Sequence, residues 1–308
     1  MAAVLAAFVA SPGAAGGPLV ALTDEEIERI AAHGPWPTPV RPDPGNEWSG
    51  DTRAIALGQR LFGDARLSTD SAMSCATCHQ PARAFTDGLK RGIGWRVLDR
   101  NTPSVLDIAF TQGADRLTGG GLLAQSVRPL LSPAEMNTTP GHLRRLFSGD
   151  ADYLTAFTEL AKTPVGEMDD DGVLAMAGRA LAAYQETLVT PRNAFDDFRH
   201  ALVARDHRAA AAYPVAAQRG VKLFVGRAQC SQCHSGPAFT HGGKSSVSGP
   251  AAMAGIVPRV SGLRAVSLTA PYLRDGSAPT LEEVVRVHAP VRLDAIDAAH
   301  LVAFLESL

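Results

Sequence analysis

The sequence is poor in the features that mark disulfide-built, membrane-spanning or nucleic-acid-binding proteins. Only four of its 308 residues are cysteines, and 6% are aromatic. The formal net charge is −2, so charge gives no indication of a nucleic-acid partner. No apolar run is long enough to cross a bilayer as a helix. With 45% hydrophobic residues, 29 glycines and 21 prolines, the composition indicates a globular, loop-rich protein long enough for two domains.

All four cysteines belong to two five-residue strings. Residues 75–79 read Cys-Ala-Thr-Cys-His, and residues 230–234 read Cys-Ser-Gln-Cys-His. Cys-x-x-Cys-His is the attachment signature of c-type haem, in which both thiols bond to the porphyrin edge and the histidine binds the iron. The residues predicted to hold two haem c groups are therefore Cys75, Cys78, His79, Cys230, Cys233 and His234.

Two other chemistries use paired cysteines at this spacing. A four-cysteine zinc site would take both pairs, and a thioredoxin-like dithiol would take one. Neither gives the histidine that follows a fixed role. Two covalent haems are therefore the favoured interpretation, and each porphyrin would fill much of the core around it.

The chain repeats itself around the two motifs. Gly58-x-x-Leu-Phe precedes the first motif, and Gly220-x-x-Leu-Phe precedes the second. An Ala-Phe-Thr string follows each, at residues 84–86 and 238–240. This pattern indicates an internal duplication. We expect a mainly α fold of two cytochrome c-like haem domains, at residues 19–200 and 201–308.

Local patterns predict several helices. Thr23 with Glu26 forms a capping-box signal for a helix over 23–32. Residues 173–188 carry the clearest helical periodicity, and 122–131 should be helical until Pro129. The proline-rich stretch 34–49 should instead be an ordered wrap over the first domain.

Residues 1–18 resemble the apolar core and small-residue end of a secretory signal peptide, although they lack a basic start. The alternative is a disordered Ala/Gly tail. Haem attachment to this motif normally occurs outside the cytoplasm, so we expect an exported, periplasmic protein.

The order of further motifs resembles the bacterial dihaem cytochrome c peroxidase superfamily, including its MauG-like branch. The resemblance runs from about residue 55 to the end, and its marks are Arg100-Asn101-Thr102-Pro103, Gln125, Pro129, Pro-Ala-Glu-Met at 133–136, Leu-Thr-Ala-Pro-Tyr at 268–272, Asp-Gly-Ser at 275–277 and residues 280–285. It implies a peroxide site at the N-terminal haem and an electron relay at the C-terminal haem.

The resemblance also implies roles at the peroxide site. Gln125 and Glu135 have the ten-residue spacing of the family's distal pair. Glu135 would be the general acid-base, Gln125 would position peroxide, and Pro129 would shape the pocket. By residue type alone, a helix-capping carboxylate and a surface amide are the plainer alternatives.

A calcium ion between the haems is a further implication of the resemblance. Asn101, Thr269 and Pro271 occupy the ligand positions, where an amide oxygen and backbone carbonyls suit calcium. An ordinary Asn-Thr-Pro turn is the alternative.

Three departures from the family pattern matter. The segment 87–99 has no histidine to block the first haem, so we expect an open, five-coordinate iron at His79. His288, eight residues after Thr280, takes the position of the second haem's distal ligand, unless it is an ordinary surface or core histidine. The family's inter-haem tryptophan is missing; Leu117 stands there, and Trp95 is a candidate substitute.

The leading hypothesis is a MauG-like enzyme in which oxidising equivalents from hydrogen peroxide are shared between the haems and oxidise a side chain of a protein partner. The first alternative is a peroxidase that reduces hydrogen peroxide with electrons from a small redox protein. The second is a non-enzymatic dihaem electron carrier, which would need no proton donor such as Glu135. We expect neither a nucleic-acid partner nor a stable membrane span.

Overall fold

The computed structural model describes residues 17–111, 121–243 and 259–308. Its α-helices are α1 (Asp24–Ala31), α2 (Thr52–Gly63), α3 (Cys75–Cys78), α4 (Ile108–Thr111), α5 (Leu122–Leu131), α6 (Pro140–Gly149), α7 (Ala151–Ala161), α8 (Asp170–Gln185), α9 (Ala194–Val203), α10 (His207–Ala210), α11 (Val215–Val225), α12 (Leu281–His288) and α13 (Ala295–Leu305). Within these ranges, strand-like pairing is limited to isolated bridges. The mainly α prediction is confirmed. Leu117 and residues 1–16 lie outside the described residues.

Two hydrophobic cores organise the described chain. Helices α2 and α5–α8 enclose the first, which includes Leu61, Phe147 and Phe157. Helices α9, α11, α12 and α13 enclose the second, and Ile30 of α1 is buried there as well. Helix α1 therefore packs on the C-terminal half. The domain boundary at residue 200 stays a prediction.

The proline-rich stretch 34–49 connects the two cores. Trp36 is buried and donates its Nε1–H to the carbonyl of Thr190 over 2.8 Å. Further along, Asn46 donates to the carbonyl of Arg179 in α8 over 3.0 Å. Side-chain hydrogen bonds thus attach the stretch to the helical part of the chain, since its prolines cannot donate backbone hydrogen bonds.

The duplication is visible in helix packing. In α2, a Cβ atom added to Gly58 would lie 1.9 Å from the carbonyl oxygen of Ala180 in α8. In α11, a Cβ added to Gly220 would lie 2.0 Å from the carbonyl oxygen of His300 in α13. Each Gly-x-x-Leu-Phe helix therefore meets a partner helix at a contact that only glycine allows.

The repeat continues after each haem motif. Phe85 and Phe239 both adopt a left-handed backbone, with φ of 59° and 53°. Asp107 and Ala265 do so as well, with φ of 56° and 55°. Non-glycine residues rarely adopt this conformation. Its recurrence at matching places supports one ancestral loop in two copies.

Two local predictions had different outcomes. The capping box of α1 is confirmed, with Thr23 and Glu26 bonded reciprocally. Helix α5 does not stop before Pro129 but runs on to Leu131. Pro129 lies so near the C-terminal end that its missing N–H removes one bond, and the amide of Ser132 still bonds to the carbonyl of Arg128.

No helix in the described ranges is both long enough and apolar enough to cross a membrane.

Replacing Gly58 by Ala should destabilise the protein by roughly 1–3 kcal/mol, because the new methyl group meets backbone and cannot be accommodated by a side-chain rotation. Gly63→Ala, in the same helix, is the control, since a Cβ there meets nothing within 4 Å. Urea unfolding of the haem-loaded proteins measures both. Equal stability of the two variants would contradict the close packing of α2 on α8.

Candidate functional site

The four thiols stay in separate pairs. None forms a disulfide. Within the described residues, which include every cysteine, no three metal-binding side chains of the His, Cys, Asp or Glu types come together. The described residues therefore do not assemble a four-cysteine site. Burial raises the pKa of Cys75 to about 12 and that of Cys78 to about 11, which disfavours the thiolate form of both.

The histidine of each motif is oriented by hydrogen bonds at one ring nitrogen, Nδ1. His79 places Nδ1 3.2 Å from the carbonyl oxygen of Phe85. His234 places Nδ1 3.2 Å from the carbonyl oxygen of Phe239 and 3.1 Å from that of Ser261. Because a carbonyl only accepts, Nδ1 carries the proton and Nε2 keeps its lone pair.

Burial keeps both imidazoles neutral. It lowers the pKa of His79, and it lowers the pKa of His234 to about 4. A neutral imidazole with an unshared Nε2 lone pair is the form that ligates iron. The motif residues of both halves therefore fit a covalently attached haem.

His288, the last residue of α12, faces His234. Their ring centroids are 6.2 Å apart and the rings are inclined at 64°. A metal–imidazole bond is about 2 Å long, so two such bonds plus two ring radii of roughly 1 Å span about 6 Å. The gap suits one metal ion between the two rings. Burial lowers the pKa of His288, which also favours the neutral, ligating form.

No second histidine contacts the ring of His79 in the part of the chain that the structure describes. Its ring neighbour is Phe62, with centroids 6.4 Å apart. The segment 87–99 forms a short loop closed by a bridge between Ile93 and Val97. The carbonyl of Ile93 lies 3.5 Å from the Cys78 sulfur. The histidine-free loop thus borders the first motif directly.

Glu135 sits in a turn that folds back over the end of α5. The amide of Met136 bonds to the carbonyl of Pro129 over 3.1 Å, and the amide of Thr138 bonds to that of Leu130 over 2.9 Å. The Glu135 side chain is 20% exposed. The charge of Glu135 acts to raise the pKa of both Cys78 and His79, so the turn lies near the first motif.

Gln125 and Pro129 lie one turn apart on α5, on one face of the helix. The Gln125 amide oxygen accepts a 3.4 Å bond from Arg128. The structure therefore joins Pro129 to the Glu135 turn by a backbone bond, whereas the hydrogen bond of the Gln125 side chain goes to Arg128 instead.

Arg100 is the site residue that sequence reasoning missed. Its Nη2 lies 3.0 Å from Oε1 of Glu135, and its Nη1 lies 3.2 Å from Asp99. Asp99 in turn lies 3.2 Å from Arg274. The motif Arg-Asn-Thr-Pro contained the signal, but nothing in the pattern indicated that its arginine would reach a carboxylate 35 residues away.

The loop 87–99 supports the same turn. The amide of Trp95 bonds to the carbonyl of Glu135 over 2.8 Å, and that of Arg96 bonds to Ala134 over 3.0 Å. A Cβ added to Gly94 would lie 2.4 Å from the carbonyl oxygen of Ala134. The backbone of Glu135 is therefore fixed on both sides.

The predicted calcium residues come from two halves that meet. The amide N–H of Asn101 bonds to the carbonyl of Arg274 over 2.7 Å, which brings Asn101 beside the segment 269–274. The Asn101 side chain donates to the carbonyl of Leu89 over 2.8 Å, and its Oδ1 remains the acceptor atom of that amide. Amide and carbonyl oxygens, as offered by Asn101, Thr269 and Pro271, suit calcium.

These features define a class of protein. A mainly helical, duplicated chain with two Cys-x-x-Cys-His strings, each with a neutral and oriented histidine, is a two-haem c-type protein.

Comparison with known proteins identifies the family. The family model described as "Di-haem cytochrome c peroxidase" matches residues 52–202. The methylamine utilization protein MauG of Methylorubrum extorquens is 32% identical over 286 residues, covering 82% of this chain and 77% of the relative. Cytochrome c551 peroxidase of Pseudomonas aeruginosa is 29% identical over 285 residues, covering 82% and 77%. The chain therefore belongs to the bacterial dihaem cytochrome c peroxidase and MauG family.

Solved structures agree with this fold. A MauG-like protein associated with microbial copper homeostasis superposes with a TM-score of 0.67 at 27% identity, covering 89% of this chain and 95% of that one. The dihaem peroxidase BthA of Burkholderia thailandensis has a TM-score of 0.68 at 22% identity, covering 88% and 87%. Membership of the family implies two haem c groups and an oxidoreductase of the peroxidase type.

Proposed function

We propose that this protein is a MauG-like enzyme that uses hydrogen peroxide at the haem of His79 and oxidises a side chain of a protein partner. The observation that carries the proposal is the difference between the two halves. His288 faces His234 across 6.2 Å, whereas the ring of His79 has Phe62 as its neighbour. One haem would thus have two histidine ligands, and the other would stay open to peroxide.

When bound, the haem supplies the iron that takes up the oxidising equivalents of peroxide. The chain supplies the proton chemistry. Glu135 takes a proton from the peroxide oxygen nearer to the haem site and returns it to the oxygen that leaves. Arg100 holds the Glu135 carboxylate in place by a 3.0 Å ion pair. Gln125 orients peroxide, and Pro129 shapes the pocket wall.

A haem held by His234 and His288 would supply a second iron over which the oxidising equivalents could be shared. Two imidazoles, from His234 and His288, donate more strongly to iron than an imidazole with a thioether does, so they favour the oxidised form. A tryptophan or tyrosine of a protein partner would supply the electrons that this second site takes up. We propose that calcium at Asn101, Thr269 and Pro271 stabilises the contact between the halves.

A second function has support in the comparisons. A peroxidase that reduces hydrogen peroxide with electrons from a small redox protein is consistent with the 29% identity to cytochrome c551 peroxidase. An electron carrier without enzymatic activity is disfavoured, because Glu135 and its Arg100 partner would have no task there. Rapid mixing of the fully ferric protein with peroxide separates the first two. A response only after prior reduction would favour the second function and contradict the first.

We further propose an exported protein, with residues 1–18 as its signal segment and haem domains at 19–200 and 201–308, in which α1 of the first packs on the core of the second. Cell fractionation tests the export, and haem-loaded protein in the cytoplasm would contradict it. Dialysis against a chelator tests the ion: calcium, but not magnesium, should restore the starting absorption spectrum.

Replacing Glu135 by Gln should slow the reaction of the ferric protein with peroxide by about 10²–10⁴-fold, because an amide cannot carry the proton. Glu47→Gln is the matched control, since Glu47 pairs with Arg179 over 3.0 Å at the surface. Stopped-flow absorption measures both. A normal rate in Glu135→Gln would remove Glu135 from the proposed role.

Replacing His288 by Ala should convert the low-spin ferric haem to a high-spin one, because one of the two histidines that would hold the second haem is lost. The exposed His207→Ala is the control. EPR of the resting proteins gives the result, and a low-spin signal that survives in His288→Ala would rule out this ligand.

A further inference from the structure

A buried ion pair lies behind the second haem motif. Arg264 and Asp196 are joined by two bonds of 2.9 and 2.8 Å between the guanidinium and the carboxylate. Their side chains are only 1% and 3% exposed. Removing two charges from water is costly, and an ion pair is weak evidence for stability. Its position therefore calls for another explanation.

The third nitrogen of the guanidinium, Nε, shows which segment the ion pair holds. Nε of Arg264 bonds to the carbonyl of Pro237 over 2.6 Å. Pro237 lies in the loop between His234 and Phe239. Asp196 is itself fixed near the start of α9, where it accepts a bond from the backbone of Asn193 over 3.0 Å. The loop is thus tied to a helix terminus through two buried side chains.

His33 also holds this loop. Its Nδ1 lies 3.1 Å from the carbonyl of Gly236, and its ring stacks on Phe239 with centroids 4.6 Å apart and an angle of 11°. Burial lowers the pKa of His33 to about 4, so the ring is neutral and Nδ1 donates. The successive carbonyl groups of Gly236 and Pro237 are therefore both held by side chains from outside the loop, those of His33 and Arg264.

The described residues of the first half do not repeat this arrangement. By the matching left-handed residues Asp107 and Ala265, the position equivalent to Arg264 is Leu106. The loop after His79 is held by the Ser104 hydroxyl, which donates to the carbonyl of Ala84 over 2.7 Å. A neutral hydroxyl thus takes the place of a buried ion pair and an imidazole.

We propose that Arg264, held by Asp196 and assisted by His33, is a positioning residue for His234. By fixing the loop, it aims the Phe239 carbonyl at the His234 Nδ1–H. A strong bond at Nδ1 makes the imidazole a better donor to metal. The inference rests on the proposed haem at His234, and its effect is to favour the oxidised state of that haem.

The test is Arg264→Lys, which keeps the positive charge but loses the fork that reaches both Asp196 and Pro237. It should shift the low-spin EPR signal and raise the midpoint potential of that haem by about 59 mV, a tenfold change in the one-electron equilibrium. Asp197→Asn is the control, because Asp197 neighbours Asp196 but pairs with Arg192 at the surface.

A folded Arg264→Lys with unchanged potential and EPR signal overturns the proposal, whatever its thermal stability. If Asp196→Asn shifts the potential and Arg264→Lys does not, the pair acts by charge alone, and the positioning role is likewise overturned. If Arg264→Lys does not fold, His33→Gln decides: a shifted low-spin signal supports the proposal, and an unshifted one contradicts it.

These measurements use the resting, haem-loaded protein without peroxide or partner. Failure of the proposed enzymatic function would therefore leave them interpretable. Absence of a low-spin haem in the unmodified protein would instead contradict the ligation of His234 and His288, which is a separate result.

Discussion

The hydrogen bond from each motif histidine to the loop that follows it is the constraint on which the rest of the structure depends. His79 and His234 each direct Nδ1 at a backbone carbonyl, 3.2 Å away in both halves. That bond fixes the tautomer and leaves Nε2 for the metal. The left-handed Phe85 and Phe239 turn their carbonyls toward the histidines, and the helices beneath them meet through a glycine.

The two halves share this frame but differ in what surrounds it. The first motif has carboxylates near it, since the charges of Asp87 and Glu135 both raise the pKa of His79 against the larger effect of burial. The second motif has His288 facing its histidine, and the ion pair of Arg264 with Asp196 lies behind its loop. One repeated unit thus carries two differently lined sites, because side chains changed while the backbone was kept.

Sequence was most informative where chemistry requires fixed spacing. The Cys-x-x-Cys-His strings, the glycine of each repeat and the mainly α class could all be read directly. The Arg100–Glu135 and Arg264–Asp196 pairs could not, because they join residues 35 and 68 positions apart whose types are common on any surface. Likewise, Pro129 was expected to end α5, but a proline near a C-terminal end costs little there.

The placement of α1 has a consequence for how the chain matures. Ile30 is buried among residues from 195 to 308, so the apolar side of α1 is covered only by residues from the C-terminal part of the chain. Along the sequence, the residues of the first core therefore lie between two segments that both contribute to the second core. A fragment beginning at residue 201 would lose Ile30, Phe195 and Phe198 from its core, so the halves, though duplicated, no longer separate by a single cut.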